Sequence, residues 1–297
     1  MRVLFLVNRA SGGYEEALVD RCVDAVRGAG AEVEVRRPGG PGDFRALLEE
    51  AVGSYDAVVL GGGDGTVGLA ADVLRGADQP VAVLPLGRGN TFYKSVYGDG
   101  DPCRTLRGAV AEGSVWRVDL GYAVELDRFF VLGASLGFMA EVLRSSSKYL
   151  FLGGRPAYAL AALERVFRGV QPAECAVEAG GREVYSGGAM LLSAGMTMYR
   201  AGRFRLFPEA RLDDGLADYL VIPRLSRLRA LRLLRAALRG AHVGFGGVVY
   251  GQASRMRFSC SRVLGEVDGD IVGFLEELTV EVRPGMLSIL VPRGEAS

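Results

Sequence analysis

The chain has 297 residues, of which 49% are hydrophobic and 24% charged, with 35 basic and 35 acidic side chains. This length supports two ordinary domains with a sizeable core and excludes a disordered polymer. Balanced charge gives no bulk field for nucleic acid, and no apolar stretch reaches the ~20 residues that span a bilayer.

In the first ~120 residues short apolar runs alternate with helical periodicity. Strands are expected at Arg2–Asn8, Glu32–Arg37, Asp56–Leu60 and Pro80–Leu86. Helices are expected at Glu15–Arg27, Asp43–Val52, Thr66–Arg75 and Pro102–Glu112. This alternation predicts an α/β domain, a parallel sheet covered by helices on both faces. Ligands of such sheets bind beyond the C-terminal strand ends. Three strands end in suggestive loops, Asn8–Gly13, Gly61–Gly68 and Pro85–Asn90, which would share one edge.

From Trp116 the texture becomes strand-like, at Trp116–Val124, Phe129–Ala134, Ala189–Ala194, Ala217–Ile222, Arg255–Ser259 and Leu278–Arg283. Helices are expected at Pro156–Phe167 and Ser226–Arg239. A β-rich second domain therefore starts near Gly121, giving domains 1–120 and 121–297. Cys22, Cys103, Cys175 and Cys260 are far apart and form no CxxC, which argues against a zinc site or disulfide framework and for a reducing compartment. A cytoplasmic protein is expected.

The most informative segment is Gly61-Gly62-Gly63-Asp64-Gly65-Thr66-Val67-Gly68. Its glycines let main-chain N–H groups approach an anion, and the helix that follows adds the positive end of its dipole. Asp64 would repel a phosphate, so its use there is to hold Mg²⁺ or orient a water or hydroxyl. Nucleotide plus metal, and hence phosphoryl transfer, follows. Gly63, Gly65 and Gly68 also satisfy GxGxxG, but the run follows the third strand, and the next strand ends in Arg88 where a ribose-binding carboxylate belongs. A nicotinamide-dependent oxidoreductase is thus a subordinate alternative.

In the third loop Gly87 and Gly89 allow close backbone approach, while Asn90 suits a nucleotide contact or a helix cap equally. Glu266-Val-Asp268-Gly-Asp270 reads as a turn, or as a general base, Asp268, with Asp270 as a metal partner. Leu212–Leu216, containing Asp214, reads as a type I turn or an oxygen-rich cation site. The chain has no Walker A motif, and its sole histidine, His242, argues against a Ser-His-Asp mechanism. The helix at Ser226–Arg239 stripes Arg229, Arg232, Arg235 and Arg239, as a membrane-surface helix or an ordinary amphipathic helix would.

These motifs together resemble the diacylglycerol-kinase catalytic-domain family, which includes bacterial soluble lipid kinases and long-chain-base (sphingosine) kinases. Asn8-Arg-Ala-Ser11-Gly12 is similar to its NPxSG, Gly62–Thr66 is its GGDGT, and Pro85–Asn90 is like its PLGTGN. Val118–Gly121 with Phe129–Gly137, Phe207–Leu216 and Val267–Asp270 resemble further family stretches in the same order. The resemblance implies a nucleotide-binding α/β domain, a β-sandwich-like second domain whose last strand can return to the first, and bound ATP and Mg²⁺. It implies that Asn8, Ser11, Gly12, Gly61, Gly62, Gly63, Asp64, Gly65, Thr66, Gly87, Arg88, Gly89 and Asn90 surround the nucleotide. It further implies Asp268 as the base toward a lipid hydroxyl, Asp214 at a structural Mg²⁺, and Asp119 in the active-site carboxylate network.

The sequence departs from the family at Arg9, Gly13, Leu69, Arg88, Thr91 and Asp270. Arg88 is expected to replace the lost positive charge near the phosphates. The expected function is an ATP- and Mg²⁺-dependent lipid kinase. The alternative, from Gly13, Leu69 and Thr91, is a member that binds nucleotide or lipid as a regulator without turnover. A soluble enzyme of this kind must visit a membrane surface. Arg144–Arg155 and the Arg-striped helix are candidates for that transient contact, and a homodimer is left open.

Overall fold

In a computed structural model, residues 1–152, 154–169, 171–200 and 204–294 are described. The chain separates into two compact units, Met1–Leu120 with Pro284–Ser297, and Gly121–Arg283.

The first unit begins β1 (Arg2–Val7), α1 (Glu16–Arg27), β2 (Glu32–Arg36), α2 (Pro41–Ala51), β3 (Ala57–Gly62) and α3 (Asp64–Leu74). It continues β4 (Val81–Pro85), α4 (Thr91–Tyr97), α5 (Pro102–Glu112) and β5 (Ser114–Ala123). β1 lies parallel between β2 and β3, and β4 lies parallel beside β3. β1 and β3 are buried almost throughout, as strands covered on both faces must be. Val19, Cys22, Val23 and Val26 of α1 and Leu106 and Ala109 of α5 pack on Val3, Phe5, Val7 and Val59. The apolar faces of α2 and α3, around Phe44, Leu48, Val67 and Ala71, are buried as well.

The expected strands and helices of this unit are all present, with ends shifted by one to two residues. Two features differ. α4 was not legible, because its Thr-Phe-Tyr-Lys-Ser-Val-Tyr run has little helix propensity; burial of Phe92, Tyr93, Val96 and Tyr97 holds it. Cys22 and Cys103 form a disulfide across 81 residues with Cα atoms 4.4 Å apart, which corrects the reading of the cysteine spacing as arguing against disulfides. Packing of α1 against α5 brings them together, and sequence spacing carries no trace of that.

The second unit contains β6 (Arg128–Phe130), β7 (Gly133–Gly137), α6 (Phe138–Ser146), a 3-10 turn (Ser147–Leu152), α7 (Gly154–Arg168) and β8 (Ala173–Ala179). β9 (Arg182–Gly195), β10 (Ala217–Pro223), α8 (Arg227–Ala237), β11 (Val249–Ala253), β12 (Arg255–Val267) and β13 (Asp270–Val291) follow. Its pairings are antiparallel. β9 pairs with β8 through its first half and with β7 through its second, and β12 divides itself between the same two partners. This change of partner folds the sheet around a core of Leu136, Val177, Leu192, Phe258 and Val280. The tail of β13 returns to the first unit, where Ile289 lies parallel to Val81 of β4. The expected run Phe129–Ala134 divides into β6 and β7, and β8, β11 and α6 are added. Of the segment Arg144–Arg155, residue 153 and the side chains at 150, 152, 154 and 155 lie outside the described residues. Among the described residues no helix is long and apolar enough to cross a membrane.

Candidate active site

The chain leaves β1 toward β2 on one side and reaches β3 on the other, so the C-terminal ends of β1 and β3 form a topological switch point. All three glycine-bearing loops gather there. Asn8 donates from Nδ2 to Thr66 Oγ1 (3.2 Å) while its Oδ1 accepts from the Ala10 amide (3.0 Å). The Gly13 amide donates to the Leu86 carbonyl (2.8 Å), tying the first loop to the third. The second and third loops touch at Gly63 and Gly87, where a Cβ on Gly87 would lie 2.5 Å from the Gly63 Cα. Only glycine permits that approach. A Cβ on Gly12 would lie 2.6 Å from Arg88 Nε, so the Arg88 side chain runs across the first loop.

Asp64 sits at the junction. Its Oδ1 accepts from the Phe92 amide (2.9 Å), capping α4. A Cβ on Gly89 would stand 3.2 Å from its Oδ2. The bond from Phe92 to Asp64 removes the cap reading of Asn90. Asn90 occupies the cap position with φ 51°, yet its side chain turns back, accepting from the Gly87 amide (2.8 Å) and donating to the Gly87 carbonyl (2.9 Å). Asn90 shapes the loop, and Asp64 supplies the cap. Ser11 donates its amide to the Asn8 carbonyl, and Thr66 lies buried under Gly62. Asp119, on β5, is buried and accepts from the Gly285 amide (2.8 Å).

In the second unit Asp268 and Gly269 are the two central residues of the β12–β13 hairpin, with φ 51° and 88°. The turn reading of this segment is thus correct. The same geometry aims the Asp268 carboxylate at a row of amides. Oδ2 accepts from Val131 (2.9 Å), and Oδ1 accepts from Leu132 (2.8 Å) and Gly133 (3.1 Å). Burial pushes the carboxyl up to about 6, although those amides and the Arg200 guanidinium pull it down. Beneath the hairpin Arg200 and Glu266 form an ion pair, both almost fully buried. Glu266 also accepts from the Gly269 amide (2.9 Å), and Arg200 donates to the Gly133 carbonyl (3.2 Å). Sequence reasoning missed this brace. Glu266 was visible as one of three clustered carboxylates, whereas nothing marked Arg200.

The remaining carboxylates are engaged separately. Asp270 pairs with Arg128 (2.6 Å), and Asp214 accepts from the Leu216 amide (3.0 Å) in its turn. Among the described residues no three His, Cys, Asp or Glu side chains group as metal ligands. His242 is fully buried with Nε2 on the Leu206 carbonyl (3.0 Å), and burial lowers its pKa. A cavity of about 380 Å³ opens within the second unit, lined by Leu136, Met190, Cys175, Cys260, Val263 and Phe274.

A parallel sheet with anion-ready loops at its switch point, on a chain that also builds an antiparallel unit around an oriented aspartate, defines a nucleotide-fold kinase architecture. Residues 2–123 match the diacylglycerol kinase catalytic domain, and residues 133–291 match the YegS C-terminal NAD kinase beta sandwich-like domain. The chain belongs to the diacylglycerol kinase family. A diacylglycerol kinase of Mycobacterium tuberculosis is 30% identical over 294 residues, covering 96% of this chain and 90% of the relative. A Pseudomonas aeruginosa protein named "Probable lipid kinase YegS-like" is 35% identical over 228 residues, covering 75% and 72%. The crystal structure of a diacylglycerol kinase from Bacillus anthracis shares the fold, with a TM-score of 0.75 at 16% identity over 100% of this chain and 98% of that one. An NAD kinase from Archaeoglobus fulgidus in complex with ATP is a more distant fold neighbour, with a TM-score of 0.57 at 15% identity over 100% and 96%.

Proposed function

We propose that the chain is an ATP- and Mg²⁺-dependent lipid kinase acting on the hydroxyl of a diacylglycerol-like or long-chain-base lipid. The observation that carries this reading is the union of three strand-end loops around Asp64 at the switch point of the first unit. The first amides of α3, at Asp64 and Gly65, have no acceptor within their helix and stand at its positive end. The Arg88 side chain over Gly12 adds a cation, so a triphosphate would meet amides and a guanidinium together. The relatives named as diacylglycerol and lipid kinases support the same substrate class.

The donor set fits Mg²⁺ of the nucleotide-bridging kind, which needs one or two carboxylates and completes its shell with phosphates and waters. Asp64 would supply that carboxylate from Oδ2, since Oδ1 caps α4. Asp270 is committed to Arg128, and an ion at Asp214 would rely on carbonyls and waters around one carboxylate. When bound, Mg²⁺ neutralises charge on the phosphates.

Asp268 would accept the hydroxyl proton as the lipid oxygen attacks the γ-phosphorus and ADP leaves. A carboxyl raised to about 6 is still ionised at neutral pH and is a stronger base than an ordinary aspartate. The three amides hold it in one orientation and leave Oδ2 with a free lone pair. Asp119 would act indirectly, by fixing the turn at Gly285. The cavity of the second unit, with Leu136, Met190, Val263 and Phe274 on its wall beside Glu141 and Arg262, would take the acyl chain.

The test is incubation with labelled ATP, Mg²⁺ and a panel of lipid alcohols. Phosphorylated diacylglycerol or long-chain base is the expected product. Nucleotide binding with every lipid unlabelled would replace this reading with that of a binder without turnover, and protection by dinucleotide but not ATP would favour an oxidoreductase.

A further inference from the structure

The sheet of the second unit carries two cysteines side by side. β8 pairs antiparallel with β12, and the end of that ladder sets Cys175 directly opposite Cys260. Opposed residues of an antiparallel pair point to the same face, with Cα atoms about 4.5–5.5 Å apart. That lies within the span a disulfide bridges, about 4.4–6.8 Å. Yet unlike Cys22 and Cys103, which are bonded, these two are thiols.

Their setting separates them from ordinary core cysteines, which behave as small hydrophobes. The next pairs on the same face, Val177 with Phe258 and Ala179 with Met256, are buried in the core of the unit. Cys175 is buried too, but Cys260 is only partly so, and both line the cavity of about 380 Å³. On its other edge Cys175 pairs with Gly187 of β9, which has no side chain to cover it. β12 shifts register with β13 past Ser259, so Cys260 opens an irregular stretch where a side chain can be re-aimed.

The two sulfurs also differ in chemistry. The Cys175 thiol has two acceptors in reach, the Ala173 carbonyl (3.2 Å) and the Cys260 sulfur. Its bond to Cys260, and then its burial, raise the pKa of Cys175. Accepting that same bond lowers the pKa of Cys260, against its burial and the charge of Glu276. The more accessible sulfur is therefore the better nucleophile, with a protonated thiol behind it.

We propose that Cys175 and Cys260 form a peroxide-responsive dithiol, a modification site that a hydroperoxide closes to a cross-strand disulfide. The Cys260 thiolate attacks one peroxide oxygen, the O–O bond breaks, and the departing hydroxide takes up a proton to leave as water. Cys260 is then a sulfenic acid. The Cys175 sulfur attacks the Cys260 sulfur; S–S forms, S–O breaks, and the Cys175 proton leaves with the hydroxyl as a second water. Two thiols are oxidised and one peroxide is reduced. The bridge ties β8 to β12 beside the cavity, which gives the cavity wall two redox states. The inference goes beyond the kinase reading and does not rest on it.

The experiment treats the folded full chain with hydrogen peroxide, alkylates the remaining thiols in denaturant, and maps the peptides by mass spectrometry. Without peroxide Cys175 and Cys260 should both be alkylated, with Cys22 and Cys103 joined. After peroxide both thiols should be lost together, in a linked peptide pair, and dithiothreitol should restore them. Phenylarsine oxide, whose arsenic binds paired thiols, should protect the same two from alkylation at one equivalent per chain. Cys175→Ser removes the second thiol, so Cys260 should stop at the sulfenic acid and be trapped by dimedone. Cys260→Ser removes the attacking sulfur, so Cys175 should stay reduced. Serine is close to cysteine in size, and the wild-type mapping decides the matter even where a variant fails to fold. Thiols that remain alkylatable after peroxide, or that bridge between chains rather than within one, would overturn the inference. So would a folded Cys175→Ser protein that dimedone leaves unlabelled. A chain that forms the bridge but phosphorylates no lipid would count against the kinase reading alone.

Discussion

Replacing Asp268 by Asn probes the base and its setting together. The side chain keeps its shape, and its oxygen can still accept from Leu132 and Gly133. Its NH₂ group, however, must then face the Val131 amide, donor against donor. A buried donor left without an acceptor costs about 1–3 kcal/mol. The two surviving bonds also lose their charge assistance, which roughly doubles such bonds. At about 2–4 °C per kcal/mol for a unit of this size, melting should fall by several degrees. Loss of a general base should lower kcat by about 10²–10⁴-fold, far beyond what this destabilisation explains at 25 °C. ATP affinity should hold, since the phosphate loops lie in the other unit. Wild-type kcat should also fall as pH drops through about 6, because the protonated carboxyl accepts no proton, and the variant should lack this limb. Stability runs the opposite way: a carboxyl raised in the fold adds stability that is full below its unfolded pKa of about 3.9 and is lost as pH rises through about 6. Labelled-ATP turnover, thermal melting and nucleotide titration measure these quantities. Full turnover by a folded Asp268→Asn protein would remove Asp268 as the base, and an unchanged melting temperature would show that the three amides do not clamp it.

Gly87→Ala should force the second and third loops apart, since its methyl would stand 2.5 Å from Gly63 Cα where carbon atoms prefer about 3.5–4.0 Å. An order-of-magnitude or greater loss of ATP affinity, read by titration, is expected, and unchanged affinity would mean that loop contact does not build the site. Arg88→Ala should weaken both ATP and ADP binding, and equal affinity for each before and after would discard its role beside the phosphates. Reduction of Cys22–Cys103, or Cys22→Ser, should destabilise the first unit by about 2–4 kcal/mol, because a bridge across 81 residues restricts the unfolded chain. Melting with and without dithiothreitol checks this, and coincident curves from a protein shown to carry the bond would contradict it.

Most elements of the first unit, and the gathering of its three loops at one sheet edge, were legible because each is a local signal. Continuous apolar runs such as Val3–Val7 mark strands buried on both faces, and glycines at their exits mark where backbone must approach an anion or another loop. Pro102 after Asp101, whose side chain accepts from the Arg104 amide (2.8 Å), announces α5. Asp64 and Asp268 stood out as carboxylates among glycines, but their neighbours did not. Helix α4 was hidden because its cap is Asp64, 28 residues from the Phe92 amide it binds. Asn90 was open as a helix cap until its side chain was found on the Gly87 amide.

Composition and local pattern, then, determined an α/β unit with glycine-bearing loops at its strand ends followed by a β-rich unit. Tertiary structure alone decided that Cys22 meets Cys103, that Arg200 and Glu266 brace the Asp268 hairpin from below, and that β9 and β12 change partners midway. The physical reason is range. Periodicity and turn chemistry act over a few residues, whereas each of these features joins groups tens of residues apart whose meeting depends on how whole elements pack.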